Sequence, residues 1–294
     1  MEAERSVRAA DGARIAYRVW RPEAPRGALV LLHGVASNST RWSEFTARSM
    51  LRTHWALLRM DLRGQGNSAW HGRIGMDEWC GDIAAMLDAE GFARALVGGH
   101  CLGANIALEF ARRQPGRAQG LVLVEPMPRA ALAGGMARLA RLRPLLVAAS
   151  VAVRAANALG MRRRRLAPMD LEAMDRETRA ALARGPEGEA ALARYASPLA
   201  DLRGTATGAY LQALAAVVGP VQEFSGVRAP ALALVSAQAA FTDPRRVRTA
   251  LGALPDCEVA ELPARHWIPT EQPEAMRAAI DGWVARRFPA PDTW

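Results

Sequence analysis

At 294 residues, half of them apolar and 23 % charged, the chain has ample material for a sizeable core and is not composed like a disordered segment. Its formal net charge is +9 and all 38 basic residues are arginine; beside abundant alanine and glycine this points to coding bias and carries little weight as a signal for nucleic acid. Cys80, Cys101 and Cys257 fit neither a disulfide framework nor metal-ligand spacing, so no metal or cofactor is expected and a reducing, cytoplasmic setting fits.

The first twenty residues carry early acids and no apolar stretch of the signal-peptide kind. Short apolar runs bounded by Gly, Pro and Asp then alternate with helical patterns, the rhythm of a mostly parallel sheet with crossover helices. Strands are predicted near 14–20, 28–32, 55–60, 94–98, 119–125, 229–236 and 256–262. Helices are predicted near 41–51, 76–90, 102–113, 244–253 and 272–287.

The alternation stops between Pro126 and Pro220, where nearly a hundred residues show helical periodicity and no convincing strand. This divides the chain into a core, 1–126 with 221–294, and a helical cap subdomain, 127–220, inserted between the fifth and sixth predicted strands. Fourteen arginines stand there against seven acids, and nine arginines against none over 127–169. The longest apolar run, 144–153, is about half the length a membrane span needs. "RRRR" at 162–165 is by itself a solvated face, but after the amphipathic stretch before it, it is also a candidate surface for anionic lipid, coenzyme A or a carrier-protein arm.

"GGHCLGA", 98–104, follows an apolar strand and opens a helical pattern. Cys101 therefore sits at a strand-to-helix corner, where Gly99 and Gly103 admit a sharp turn and close approach of neighbouring backbone. A thiol at a helix N-terminus faces unpaired N–H groups and the positive end of the dipole, which favour the thiolate.

This segment resembles the nucleophile elbow of the α/β-hydrolase superfamily, Gly-x-Ser-x-Gly, with cysteine in place of serine. "LVLLHGVASNSTRW" (29–42) resembles the family's His-Gly oxyanion loop, "MDLRGQGNS" (60–68) its Asp-x-Arg-Gly turn, and "RHWIPTEQPE" (265–274) its terminal histidine segment. The resemblance implies the α/β-hydrolase fold: a mostly parallel central sheet with flanking helices and a helical cap. It also implies Cys101 as nucleophile, His266 as general base, and an oxyanion hole from the backbone N–H groups of Val35 and Leu102. Asp61 and Arg63 are expected to brace their turn, and His33, His100 and Trp267 to contribute to the substrate pocket.

The acid departs from the commonest pattern, because Ala239 and Ala240 stand where the family usually places it and Asp243 comes four residues late. Glu125, ending the fifth predicted strand, matches the position used by one subgroup of haloalkane dehalogenases and is the preferred candidate, with Asp243 as the alternative. A cysteine at the elbow directs the reading to acyl chemistry. The expected function is hydrolysis of an ester or thioester, free or carried on coenzyme A or a carrier protein, through a Cys-His-Glu triad and an acyl-cysteine. Acyl transfer by the same triad is the alternative enzyme reading, and a non-catalytic ligand-binding member of the fold the alternative from another class.

Overall fold

A computed structural model describes residues 2–163, 165–185, 187–220, 224–238 and 240–289. Eight strands form one sheet in the spatial order β1-β2-β4-β3-β5-β6-β7-β8. They are β1 (Ala3–Arg8), β2 (Arg14–Trp20), β3 (Gly27–Leu32), β4 (Trp55–Met60), β5 (Ala95–His100), β6 (Ala118–Val124), β7 (Ala231–Ser236) and β8 (Cys257–Leu262). β1 and β2 pair antiparallel, as do β2 and β4, while the six strands from β4 to β8 run parallel. The expected mostly parallel α/β sheet is present.

Central strands such as β4, "WALLRM", and β5, "ALVGGH", are buried at every position, as strands covered on both faces must be. Successive side chains alternate between two cores. Ala28, Val30 and Leu32 of β3 face a core built with the helices α2 (Met76–Ala89) and α3 (Leu102–Arg113). Leu29 and Leu31 face the opposite core, built with α1 (Ser43–Arg48) and the terminal α12 (Pro273–Arg287) through Phe45 and Trp283.

Seven strands lie where the alternation predicts them, shifted by a residue or two at their ends. β1 was not predicted. Its sequence, AERSVR, is charged and mostly exposed, and it is held by its ladder to β2 rather than by burial. The single helix expected over 41–51 is broken at Ser49, whose extended backbone (ψ 139°) ends α1; its hydroxyl accepts from the Leu51 N–H and opens a separate 3-10 turn.

Between β6 and β7 the described residues form no strand beyond an isolated bridge from Leu132 to Thr242; besides short 3-10 turns they form α4 (Gly134–Arg141), α5 (Arg143–Ala158), α6 (Leu171–Leu182), α7 (Glu187–Ala193), α8 (Pro198–Gly204) and α9 (Thr207–Val217). After β7 come α10 (Pro244–Leu251), and after β8 the short α11 (Ile268–Glu271). α9 packs into the core through Ala213 and Val217, and α5 rides on α9. The parallel strands end together, His100 beside Val124, Val124 beside Leu234, and Ser236 beside Leu262. The residues that follow these ends converge on one crevice beneath the helical insertion.

Candidate active site

Cys101 follows the last residue of β5 and precedes the first of α3, with φ 56° and ψ −115°. An L-residue seldom adopts positive φ, because Cβ crowds its own backbone, so such a corner persists only where its surroundings force it. They do so here by contact. A Cβ on Gly99 would lie 2.2 Å from the backbone carbon of Gly103, and a Cβ on Gly103 would lie 2.5 Å from the Leu32 carbonyl oxygen. The elbow therefore packs backbone against backbone, and glycine is required at both positions.

Ala36, Cys101 and Glu125 are the only non-glycine residues with positive φ among the described residues. All three stand at the site, the pattern expected when strain is concentrated where side chains must be aimed. Glu125 begins the segment after β6, buried beside the end of β7, where its Oε1 accepts the Ser236 N–H and its Oε2 lies 3.1 Å from His266 Nδ1. The structure thus brings Glu125 to His266.

His266 lies on the loop after β8. Glu271, at the end of α11, turns back and accepts the consecutive backbone N–H groups of Arg265, His266 and Trp267, at 3.1, 3.2 and 2.9 Å. His100 is buried, and its Nε2 donates to the His266 carbonyl oxygen at 2.9 Å. Burial holds the His100 pKa well below the ordinary histidine range, so its ring is neutral and suited to this donor role. For His266, burial alone would lower the pKa, but hydrogen bonds to Cys101 and Glu125 and their negative charge outweigh it and push the value up to about 10.

The opposite side of Cys101 is set by Asn105 on α3, whose amide accepts the Met127 N–H and donates to the Met127 carbonyl, both at 3.0 Å. This pins the chain just past Glu125 and brings Met127 Sδ to 3.2 Å from Cys101 Sγ. Leu102 is the first residue of α3, so its N–H has no intrahelical acceptor, and Val35 lines the same cavity as Cys101.

That cavity, of about 660 Å³, lies between the strand ends and the insertion. Cys101, His100, His266 and Trp267 line it together with the apolar Met136, Leu139, Met174, Leu214 and Phe241. Phe241 stands edge-on to His266 with ring centres 4.7 Å apart. On the insertion side, Arg41 makes a buried ion pair with Asp175 of α6 at 2.5 Å, and Asp175 also accepts from Thr270 and Tyr195. One buried carboxylate thereby ties the insertion to the segment after β3 and to α11, just past His266.

Two expectations from the sequence need correction. His33 does not line the cavity: it is fully buried, its Nδ1 bonds the Gly34 carbonyl and its Nε2 accepts the Leu62 N–H, so it joins two core loops. Burial lowers its pKa to about 4, consistent with a neutral structural ring. Asp243 caps α10 instead of facing His266, accepting the N–H groups of Arg245 and Arg246 with its side chain 43 % exposed. Ala239, where the commoner pattern puts the acid, lies outside the described residues. Asp61 and Arg63 brace their turn as expected, Asp61 accepting the N–H groups of Ser39 and Asn67, and Arg63 gripping Asp82 with two nitrogens.

Asn105, Glu271 and the Arg41–Asp175 pair had not been singled out from the sequence. Glu271 alone left a trace there, as an acid five residues after the histidine. The partners of Asn105, Arg41 and Asp175 are set by the tertiary fold.

Comparison with known proteins matches residues 23–273 to the serine aminopeptidase S33 family model. Among curated relatives, a pimeloyl-[acyl-carrier protein] methyl ester esterase of Sodalis glossinidius is 38 % identical over 101 residues, 34 % of this chain and 37 % of that protein. A monoacylglycerol lipase of Mycolicibacterium smegmatis is 31 % identical over 136 residues, 42 % of this chain and 46 % of that protein. The chain thus spans less than half the length of either relative. A hydrolase from Pseudomonas aeruginosa superposes with a TM-score of 0.68 at 24 % identity, covering 96 % of this chain and 98 % of that one. The enol-lactonase of Burkholderia xenovorans gives 0.66 at 19 % identity over 96 % of this chain and 100 % of that one. With the sheet order, the elbow and the matched span in agreement, the chain belongs to the serine aminopeptidase S33 family of α/β-hydrolases.

Proposed function

We propose that the protein hydrolyses an acyl ester or thioester through Cys101, His266 and Glu125, with an acyl-cysteine intermediate. The observation that carries this reading is the His266–Glu125 contact at 3.1 Å, made on the floor of an apolar cavity that Cys101 also lines. In the first half-reaction the Cys101 thiolate attacks the substrate carbonyl carbon and the bond to the leaving oxygen or sulfur breaks. His266, protonated because the cysteine sulfur and Glu125 support its charge, gives its proton to the leaving group. The N–H groups of Val35 and Leu102 receive the oxyanion, each such donor contributing roughly 3 kcal/mol in comparable sites.

Acylation also switches the histidine. Once the sulfur is part of a thioester, the negative charge that supported the His266 proton is gone and the imidazole becomes a base. It then takes a proton from water, the water oxygen attacks the thioester carbonyl, and the acid leaves as the thiolate returns. Glu125 holds Nδ1 throughout, leaving Nε2 for both proton transfers.

The apolar lining favours an uncharged acyl chain over a polar one. Esterase and lipase names among the relatives support the ester class, and the relative named for an acyl-carrier-protein ester supports the carrier-bound form. Intact-protein mass spectrometry after brief exposure to a panel of acyl esters and thioesters tests the reading. An acyl mass on Cys101 that decays in water supports hydrolysis, whereas decay only with an added alcohol, amine or thiol replaces it by acyl transfer. Absence of any adduct or product across the panel overturns catalysis in favour of ligand binding.

A further inference from the structure

α5 is a 16-residue helix, about 24 Å long, whose exposed positions are all apolar, with Arg143, Arg154 and Asn157 half-buried. Its exposed positions are one proline, five alanines, two valines and one leucine. Leu145 is 66 % exposed, and beyond the helix end Leu159 and Met161 are 77 % and 65 % exposed. The inner face is accounted for: Leu146 packs on the core, Val153 and Asn157 meet Gly208 of α9, and Arg143 is drawn inward to the Ala215 carbonyl. A surface helix is normally polar on its outer side, and a continuous apolar strip of this length marks a contact surface.

The charges around the strip identify its occupant. Exposed Arg138 and Arg141 stand at the end of α4 just before α5, and exposed Arg162, Arg163 and Arg165 follow it. No acid occurs anywhere from 127 to 169. A second copy of the chain docked face to face would press these arginines against each other. A surface that is apolar a short way in and anionic at its rim satisfies both halves of the pattern.

We propose that α5 lies in the interface of an anionic phospholipid bilayer, its apolar face among the upper acyl chains and its flanking arginines among the headgroup phosphates. No helix among the described residues is long and apolar enough to cross a membrane, so the contact is in-plane. Met136 and Leu139, just before α5, and Ala167 and Met169, just after the arginine run, line the cavity that holds Cys101. Docking through α5 therefore sets an apolar wall of that cavity beside the lipid, a route by which a membrane-dissolved ester would arrive.

Cosedimentation with vesicles tests the assignment independently of catalysis, using the full chain and its Cys101→Ala variant alike. Binding is expected to vesicles of mixed phosphatidylcholine and phosphatidylglycerol and to weaken steeply with salt. Arg138→Gln, Arg141→Gln and Arg162→Gln should each weaken it roughly five-fold. The triple variant Leu145→Ser/Val151→Ser/Leu159→Ser should lose binding while keeping its melting temperature and its turnover of a water-soluble ester. Equal partition onto pure phosphatidylcholine, or arginine and triple variants that bind like the parent, overturns the proposal. So does a dimer in solution that the triple variant dissolves, which would assign α5 to a second copy.

Discussion

The α/β core and the first half of the insertion both carry many arginines, but use them oppositely. In the core the cations are matched: Arg63 with Asp82, Arg113 with Glu109, Arg59 with Glu2. Arg63 and Arg59 are buried, where an unmatched charge would be strongly destabilising. From 127 to 169 arginine has no acid of its own segment to meet and stands mostly exposed around apolar side chains. Paired cations hold a fold together, whereas unmatched cations around an apolar ridge suit a surface supplied from outside.

The contrast is broken most forcefully at the site. Cys101→Ala should lower kcat/KM on a soluble ester by about 10⁴-fold or more with the melting temperature retained, since it removes the sulfur on which the proposed acyl-cysteine forms. Residual turnover near the parent level would move the chemistry elsewhere. Glu125→Gln should cost roughly 10²- to 10⁴-fold in kcat, because an amide no longer fixes the imidazole tautomer or supports its charge. Asp243→Asn should change turnover by less than about two-fold; the reverse outcome would exchange the two acids.

The joint between the two regions comes next. Asp175→Ala leaves the Arg41 guanidinium buried and unmatched and should lower stability by about 3–5 kcal/mol in urea unfolding. Replacing Arg41 and Asp175 together by methionine and leucine should recover much of that loss. If the single variant unfolds like the parent, the pair does not hold the insertion to the core.

The last effect is a pH slope. His266 is raised from its ordinary value of 6.5 to about 10 in the folded protein. Its contribution to stability is therefore complete below about pH 6.5 and lost as pH rises towards 10. Parent and His266→Gln should converge in unfolding free energy across that window, and burst acylation should fall on the same alkaline limb. A gap that widens with pH would mean that the imidazole is buried neutral.

Much of this was legible in the sequence because short-range rules dominate it. The fully buried strands and the Gly-x-Cys-x-Gly corner follow from patterns a few residues long, and Glu125, which the structure brings to His266, is singled out by its place at the end of the fifth predicted strand. β1 was not legible, since its charged side chains conceal a strand defined only by its neighbour. His33 was misplaced because a motif histidine and a pocket histidine look alike until their hydrogen-bond partners are known. Asn105 and Asp175 act on residues 22 and 134 positions away, and no local pattern announces such pairings.

The position of Glu125 directly after β6 has a consequence for diversification. In the proposed triad, nucleophile and acid are both encoded before the insertion begins, at the ends of neighbouring strands. That triad takes no acid from the connection after β7, whose Phe241 packs edge-on against His266 and lines the cavity. That connection can change length and composition to suit new substrates without disturbing the proton relay, which makes it the natural segment to randomise when selecting for altered specificity.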